Sequence, residues 1–362
     1  MRLSECILVL YALLGVGVDT IEGFKSAFSN LEEMFGAGED TLVSVPGLGP
    51  KRAARLLEAD PQGVLDGLRR EIEEADCKVM TVADEGFPPA LWKVRGSPAA
   101  IFYQGDIGCL SAPAVSVVGT RKASSYGNQV AYSMARDLTI QGVMVTSGMA
   151  IGIDTAAHQG ALEAGATVAV LGSGLAKVYP PQNRGLAERI RDKGLLLSPF
   201  TPFTSPARWT FPRRNRLMAA LSRAVVVVEA GEKSGALLTA QYAKEMQVPV
   251  FAVPGRVDRS QGKGVIGLLK SGAKVAAGAG DVLEQLSIHP RVERGGVTVA
   301  EGELQGDELS VWRALEDEDL PPEVIASRTG KMLGDIWEVL LEMEMKGLIC
   351  QVAGGVYSRR TA

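Results

Sequence analysis

The basic side chains of this sequence gather where they could hold an acidic ligand. Phe211-Pro212-Arg213-Arg214-Asn215-Arg216 packs three arginines and an asparagine between an aromatic-proline start and an apolar run. Arg121 stands in GTRKASSYG (119–127), Lys177 in GSGLAKVYPPQN (172–183) and Lys233 in GEKSGALLTA (231–240), each among small and hydroxyl residues. Such loops let backbone N–H groups reach phosphate oxygens while the cations add charge. Several of them together suit a ligand with several phosphates, such as a nucleic-acid backbone. Arg121, Lys177, Arg213, Arg216 and Lys233 are the cations expected to converge. The proline should break the chain before a helix, setting Arg213, Asn215 and Arg216 at a helix N-terminus, where an anion is favoured, and turning Arg214 elsewhere.

Other chemistries find less support. The first loop has Arg121 and Lys122 where a dinucleotide fingerprint needs glycine, and GEKSGALLT places its lysine before the second glycine, so it is not a P-loop. The four cysteines lack CxxC spacing and only His158 and His289 are present, which argues against a zinc site and a disulfide framework. Ser147 lies in no GxSxG elbow, and His158 follows Asp154 on an apolar helix, so a Ser-His-Asp triad is not expected. Asp154 reads as a loop-holding carboxylate and His158 as a packed core residue. Arg121 has a competing reading as an ion-pair partner of Asp154 or Glu229, and Tyr126 and Phe211 fit either base stacking or rim packing.

The elements that must position these loops are legible in the apolar runs. Stretches 115–119, 143–148, 167–174, 194–198, 224–230 and 248–255 read as buried strands, alternating with helical patterns such as 126–141 and 152–165. Strands buried on both faces and separated by helices predict an α/β fold, a parallel sheet covered on each side. Its ligands gather at the carboxyl ends of the strands, where the basic loops lie.

Around this core, residues 1–75 read as a helical domain. VPGLGPKRAARLL (45–57) fits a helix-hairpin-helix, with Gly47, Gly49, Lys51 and Arg52 as a possible second DNA contact; LLGVGVDTIEGF (13–24) echoes it without the cations. The core is expected over 76–286, with a proline-rich lead-in over 76–113, then a polar linker over 287–306. Residues 307–362 read as three helices and a hairpin around Gly354-Gly355, a winged-helix domain.

Net charge is −4, yet residues 205–275 hold twelve Lys or Arg against four Asp or Glu, while 301–346 hold thirteen acidic residues against four basic. A basic middle suits nucleic acid, whereas the acidic winged helix suits a protein contact. The apolar stretch CILVLYALLGVGV is too short to span a bilayer, so a soluble cytoplasmic protein without membrane attachment is expected.

Taken in order, GTRKASSYG, SGMAIGIDTAAHQGAL, AVLGSGLAKVYPPQN, FPRRNRLMAALS, KSGALLTA and VFAVPG resemble the DNA processing protein A (DprA, Smf) family, over nearly the whole chain. The resemblance implies an extended Rossmann-like core, with a helix-hairpin-helix (SAM-like) domain before it and the winged helix after. It also implies a homodimeric protein of natural transformation and recombination. Such a protein binds single-stranded DNA without known catalysis or cofactor, protects it and loads the recombinase RecA onto it. The DNA contacts it implies are Gly119, Thr120 and Arg121, the FPRRNR segment with Phe211, Arg213, Asn215 and Arg216, and Lys233, Ser234 and Gly235; the strand-end loops themselves add Ser124, Gly127, Gly148 and Lys177 as candidate contacts. The chain departs from the family pattern at Ile151, where arginine is usual, at Pro199, where an acid is common, and at Ile266, where asparagine is usual. The alternative is a nucleotide-processing enzyme that cleaves N-glycosidic bonds. Such enzymes carry a PGGxGTxxE loop, where this chain has GEKSGALLTA.

Overall fold

Each of the six apolar runs becomes a strand of one nine-stranded sheet. The strands are β1 (Lys78–Thr81), β2 (Ala100–Gly105), β3 (Ala114–Val118), β4 (Met144–Ser147), β5 (Thr167–Val170), β6 (Leu195–Ser198), β7 (Ala224–Val227), β8 (Val250–Ala252) and β9 (Lys274–Val275). The computed structural model describes residues 1–92, 94–288, 304–316, 319–346, 348–352 and 356–359. Most of the expected linker and the Gly354-Gly355 turn lie outside the described residues.

The sheet order is β1-β2-β6-β5-β4-β3-β7-β8-β9, parallel from β6 to β9 and antiparallel at β1-β2-β6. Strands β3 to β8 are buried on both faces, which is why their sequences show continuous Val, Leu and Ala rather than alternation. Helices Ser125–Ile140 and Ile153–Ala164 cover β3 and β4 on one face. They touch closely at Gly160, where a Cβ would lie 2.1 Å from the Tyr132 carbonyl oxygen.

The helical segment over residues 1–75 shares its core with the sheet. Helix Leu3–Leu14 buries Cys6 through Tyr11 and Leu14, so the short apolar run belongs to a core helix. The Tyr11 hydroxyl donates to the Pro199 carbonyl at 2.5 Å, so the residue that departs from the family pattern anchors this layer to the end of β6. Among the described residues no helix is long and apolar enough to cross a membrane.

The chain divides into two compact units, residues 1–289 and 290–362. The second contains helices Gly306–Ala314, Pro322–Thr329 and Leu333–Met345, then the antiparallel pair β10 (Ile349–Val352) and β11 (Val356–Arg359). That is the winged-helix arrangement expected from the sequence. Val311, Trp312, Ile325, Ile336, Leu340 and Tyr357 form its core, and the Arg359 guanidinium covers the Trp312 ring at 4.7 Å.

Candidate nucleic-acid interface

Strand order reverses at β3. From β3 the chain runs through β4 and β5 to β6 on one side, then crosses to β7, β8 and β9 on the other. A crevice must therefore open beyond the carboxyl ends of β3 and β7. There the structure holds a cleft of about 640 Å³. Its walls are Gly119 to Lys122 after β3, Ala150 and Asp154 after β4, one face of helix Thr210–Leu221, and Gly231 with Lys233 to Ala236 after β7.

The loops close on one another through specific contacts. A Cβ at Gly119 would meet Ile153 Cγ1 at 2.5 Å and the Glu229 carbonyl oxygen at 2.8 Å, so only glycine fits there. The Thr120 N–H donates to that carbonyl at 2.7 Å. The buried Glu229 carboxylate accepts from the Ser124 hydroxyl at 2.6 Å and the Ser124 N–H at 2.9 Å. Ser124 also accepts from the Gly127 N–H, capping helix Ser125–Ile140. Ser124 and Gly127 thus build the wall behind the cleft instead of lining it. The Glu229 partner of the competing reading for Arg121 is engaged by serine.

The cleft's floor is a buried charge system. Arg214 donates to the carbonyls of Gly148 and Val170, the latter at 2.9 Å, and its Nε donates to Asn215 Oδ1 at 2.8 Å. Asn215 in turn donates to the Gly235 carbonyl at 3.2 Å. Asp154 accepts from the Ala150 N–H at 3.3 Å and from the backbone of Gly119 and Gly148. Burial pushes the Asp154 carboxyl above its ordinary range, opposed by the Arg214 charge and these N–H groups. The same burial pushes Arg214 down, with the Asp154 charge opposing. Asp154 therefore holds loops through backbone N–H groups, as its sequence context suggests. His158 is a core residue: its Nδ1 lies 2.9 Å from the Thr167 hydroxyl, and burial, then the Arg214 charge, push it down to about 3.

At the rim, exposed Arg121, Lys122 and Lys233 surround the opening. Helix Gly235–Glu245 points its N-terminus into it, capped by Ser234, which accepts from the Ala236 N–H at 3.3 Å, so the positive end of the helix dipole faces the opening. The Arg121 guanidinium lies 5.3 Å from the Phe211 ring centroid, and the Tyr179 ring is 6.1 Å from Phe211, tilted against it. Arg121, Ile151, Tyr179, Phe211 and Arg214 enclose a smaller adjoining hollow of about 50 Å³. Tyr179 escaped sequence reasoning because VYPPQN carries no periodic signal.

The FPRRNR stretch is placed differently from expectation. Helix Thr210–Leu221 begins ahead of Pro212, which sits in the first turn where its missing N–H costs no helical hydrogen bond. Helical spacing then turns Phe211, Arg214, Asn215 and Met218 toward the cleft and Arg213 and Arg216 away from it. Arg213 donates to the Gly15 carbonyl at 3.0 Å and covers Trp209. Arg216 donates to the Arg95 carbonyl at 2.9 Å and pairs with Glu245 at 3.6 Å. Both tie the core to its helical layer and lead-in segment, while Arg214, expected to point elsewhere, forms the floor. Lys177 lies over Phe203 at 5.5 Å and does not line the cleft. In the hairpin, Arg52 donates to the Gly47 carbonyl at 2.9 Å and the Leu14 carbonyl at 2.7 Å, closing the turn on itself beside Gly49 and exposed Lys51.

Comparison with known proteins agrees with this architecture. Residues 78–287 match the family described as DNA recombination-mediator protein A, and residues 298–355 match the DprA winged helix domain. Protein Smf of Synechocystis sp. is 31% identical over 386 residues, covering 96% of each chain. Protein Smf of Escherichia coli is 33% identical over 87% of this chain and 86% of its own. The X-ray structure of DNA processing protein A from Streptococcus pneumoniae superposes with a TM-score of 0.69 at 29% identity, over 79% of this chain and 99% of that one. The Helicobacter pylori protein, whose structure was described for its single-stranded DNA binding mode, gives 0.54 at 30% identity, over 59% and 97%. With the family model matching residues 78–287, the winged-helix model following it, and relatives above 30% identity over most of their length, this chain belongs to the DNA processing protein A (DprA/Smf) family.

Proposed function

We propose that this protein binds single-stranded DNA in the cleft at the carboxyl ends of β3 and β7. The observation that carries the reading is the pairing of three exposed cations, Arg121, Lys122 and Lys233, with a helix N-terminus and an aromatic ledge in one crevice. The cations and N–H groups suit phosphates, and the Phe211 and Tyr179 rings suit unstacked bases. A duplex offers no free base faces, so the ledge favours a single strand. The Helicobacter pylori relative's described binding mode supports the same ligand class. Photocrosslinking to a 4-thiothymidine oligonucleotide tests it: label should appear on the peptides carrying Phe211 or Tyr179. Label confined to residues 1–75 would move binding to the hairpin.

The match to a recombination-mediator family supports a wider role. In it, a homodimer protects incoming strands and passes them to RecA during recombination or natural transformation. Sedimentation of the full chain and RecA filament formation on coated strands test these two steps. The enzymatic alternative, hydrolysis of a nucleotide N-glycosidic bond, rests on Asp154, an acidic side chain lining the cleft. The hydrogen bonds that hold this carboxyl to loop backbone favour the binding reading.

A further inference from the structure

The winged-helix unit carries an apolar stripe that its own core does not use. Helix Leu333–Met345 turns Ile336, Leu340 and Met343 inward, while Leu333, Trp337 and Leu341 repeat at four-residue spacing on an adjacent, exposed face. Leu341 is 59% exposed, Trp337 45%, and Met332 just ahead of the helix 77%. Isolated exposed apolar residues are ordinary, but a periodic row containing tryptophan is the pattern of a contact surface.

The stripe's surroundings say what it fits. Asp335, Glu338 and Glu342 are exposed along the next rows, and the helix contains no Lys or Arg. The cations at its two ends are engaged: Lys331 pairs with Asp307 at 2.6 Å and Lys346 with Glu308 at 2.5 Å, both on helix Gly306–Ala314. A nucleic-acid phosphate or an anionic lipid surface would meet carboxylates here. A second copy of the same face would bring like charge against like.

We propose that this face is a protein-docking site for a basic amphipathic helix, whose apolar residues cover Leu333, Trp337 and Leu341 and whose Lys or Arg residues meet the acidic rows. The stripe supplies buried area and the carboxylates supply orientation and partner choice. The residues of the stripe all belong to the winged-helix unit, and their docking requires no bound strand.

The test uses the full chain and two fluorescein-labelled helical peptides with the same leucine spacing, one with lysine and one with glutamate on the polar face. Fluorescence anisotropy should show binding of the lysine peptide and at least about tenfold weaker binding of the glutamate peptide. Leu341→Ser and, separately, Trp337→Ser should each weaken the lysine peptide by about tenfold. Both sites are exposed, so the thermal midpoint should hold, and Leu341→Ser serves if Trp337→Ser loosens the Tyr357 contact. Equal binding of both peptides, or binding unchanged in both variants, overturns the proposal. So does a wild-type dimer that Leu341→Ser dissociates, which assigns the face to self-association, or duplex binding lost in Leu341→Ser, which assigns it to DNA.

Discussion

The Arg121 guanidinium lies over the Phe211 ring, 5.3 Å from its centroid. Arg121 comes from the loop after β3 and Phe211 from the first turn of helix Thr210–Leu221, so two elements meet to form one rim. A base could stack on Phe211 with its phosphate against Arg121. The two residues should then fail differently. Phe211→Ala should weaken oligothymidine binding by about 1–3 kcal/mol at every salt concentration. Arg121→Ala should also reduce the slope of log affinity against log salt by about one unit. Fluorescence titration at several salt concentrations separates them.

Arg213 and Arg216 supply the contrast. Their guanidiniums are engaged by Gly15 and Arg95 carbonyls outside the cleft. Arg216→Ala should leave the salt slope unchanged while loosening the packing of the lead-in segment. Limited proteolysis near Arg95 should accelerate, with a stability loss of about 1 kcal/mol or less, as for other partly exposed pairs.

Arg214 is the residue whose loss should cost most. Replacement by methionine leaves the carbonyls of Gly148 and Val170 without their donor and the Asp154 carboxyl without its facing charge. Breaking a buried charge system by removing one partner costs about 3–5 kcal/mol. Urea unfolding of Arg214→Met should show a loss of this size. Lysine should restore little, since it cannot reproduce the guanidinium's several donors.

His158 predicts a pH effect. Its folded-state value is pushed down to about 3 from an ordinary 6.5, so the unfolded chain binds a proton that the folded chain refuses. Stability should therefore be full above pH 6.5 and fall as pH drops toward 3, with a slope of up to about 1.4 kcal/mol per unit from this group. Urea midpoints at pH 7.5 and 5 should differ more for the wild type than for His158→Gln. Equal differences would contradict this assignment.

The enzymatic alternative makes its own forecast. Chromatography of nucleoside monophosphates incubated with the protein should show no released base above the Asp154→Asn background. Sustained release abolished by Asp154→Asn would install Asp154 as a catalyst.

The sheet was readable because its strands are buried on both faces. Continuous runs such as AVVVVEA have no other economical explanation, and the alternation with helices implied the parallel order. The cleft was readable in Gly119 to Arg121 and Lys233 to Gly235, because ligand loops follow strand ends in such sheets. The assignment within FPRRNR was not. It depends on a helix start placed by Thr210, whose hydroxyl donates to the Gly172 carbonyl at 2.6 Å. That long-range contact has no local sequence signature, and a register shift of two residues, about 200° around the helix, exchanges the inward and outward faces. Lys177 and Ser124 show the same limit: residue type marks a loop, but only the fold decides whether a side chain faces ligand or neighbour.

Strand binding in the cleft requires phosphates between the loop after β3 and the helix start after β7. Titration of a labelled oligothymidine against wild type, Arg121→Ala/Lys233→Ala and Arg216→Ala across salt tests it most directly. The double variant should lower the log-log salt slope by about two units, while Arg216→Ala should keep the wild-type slope. A double variant with wild-type affinity and slope would contradict it.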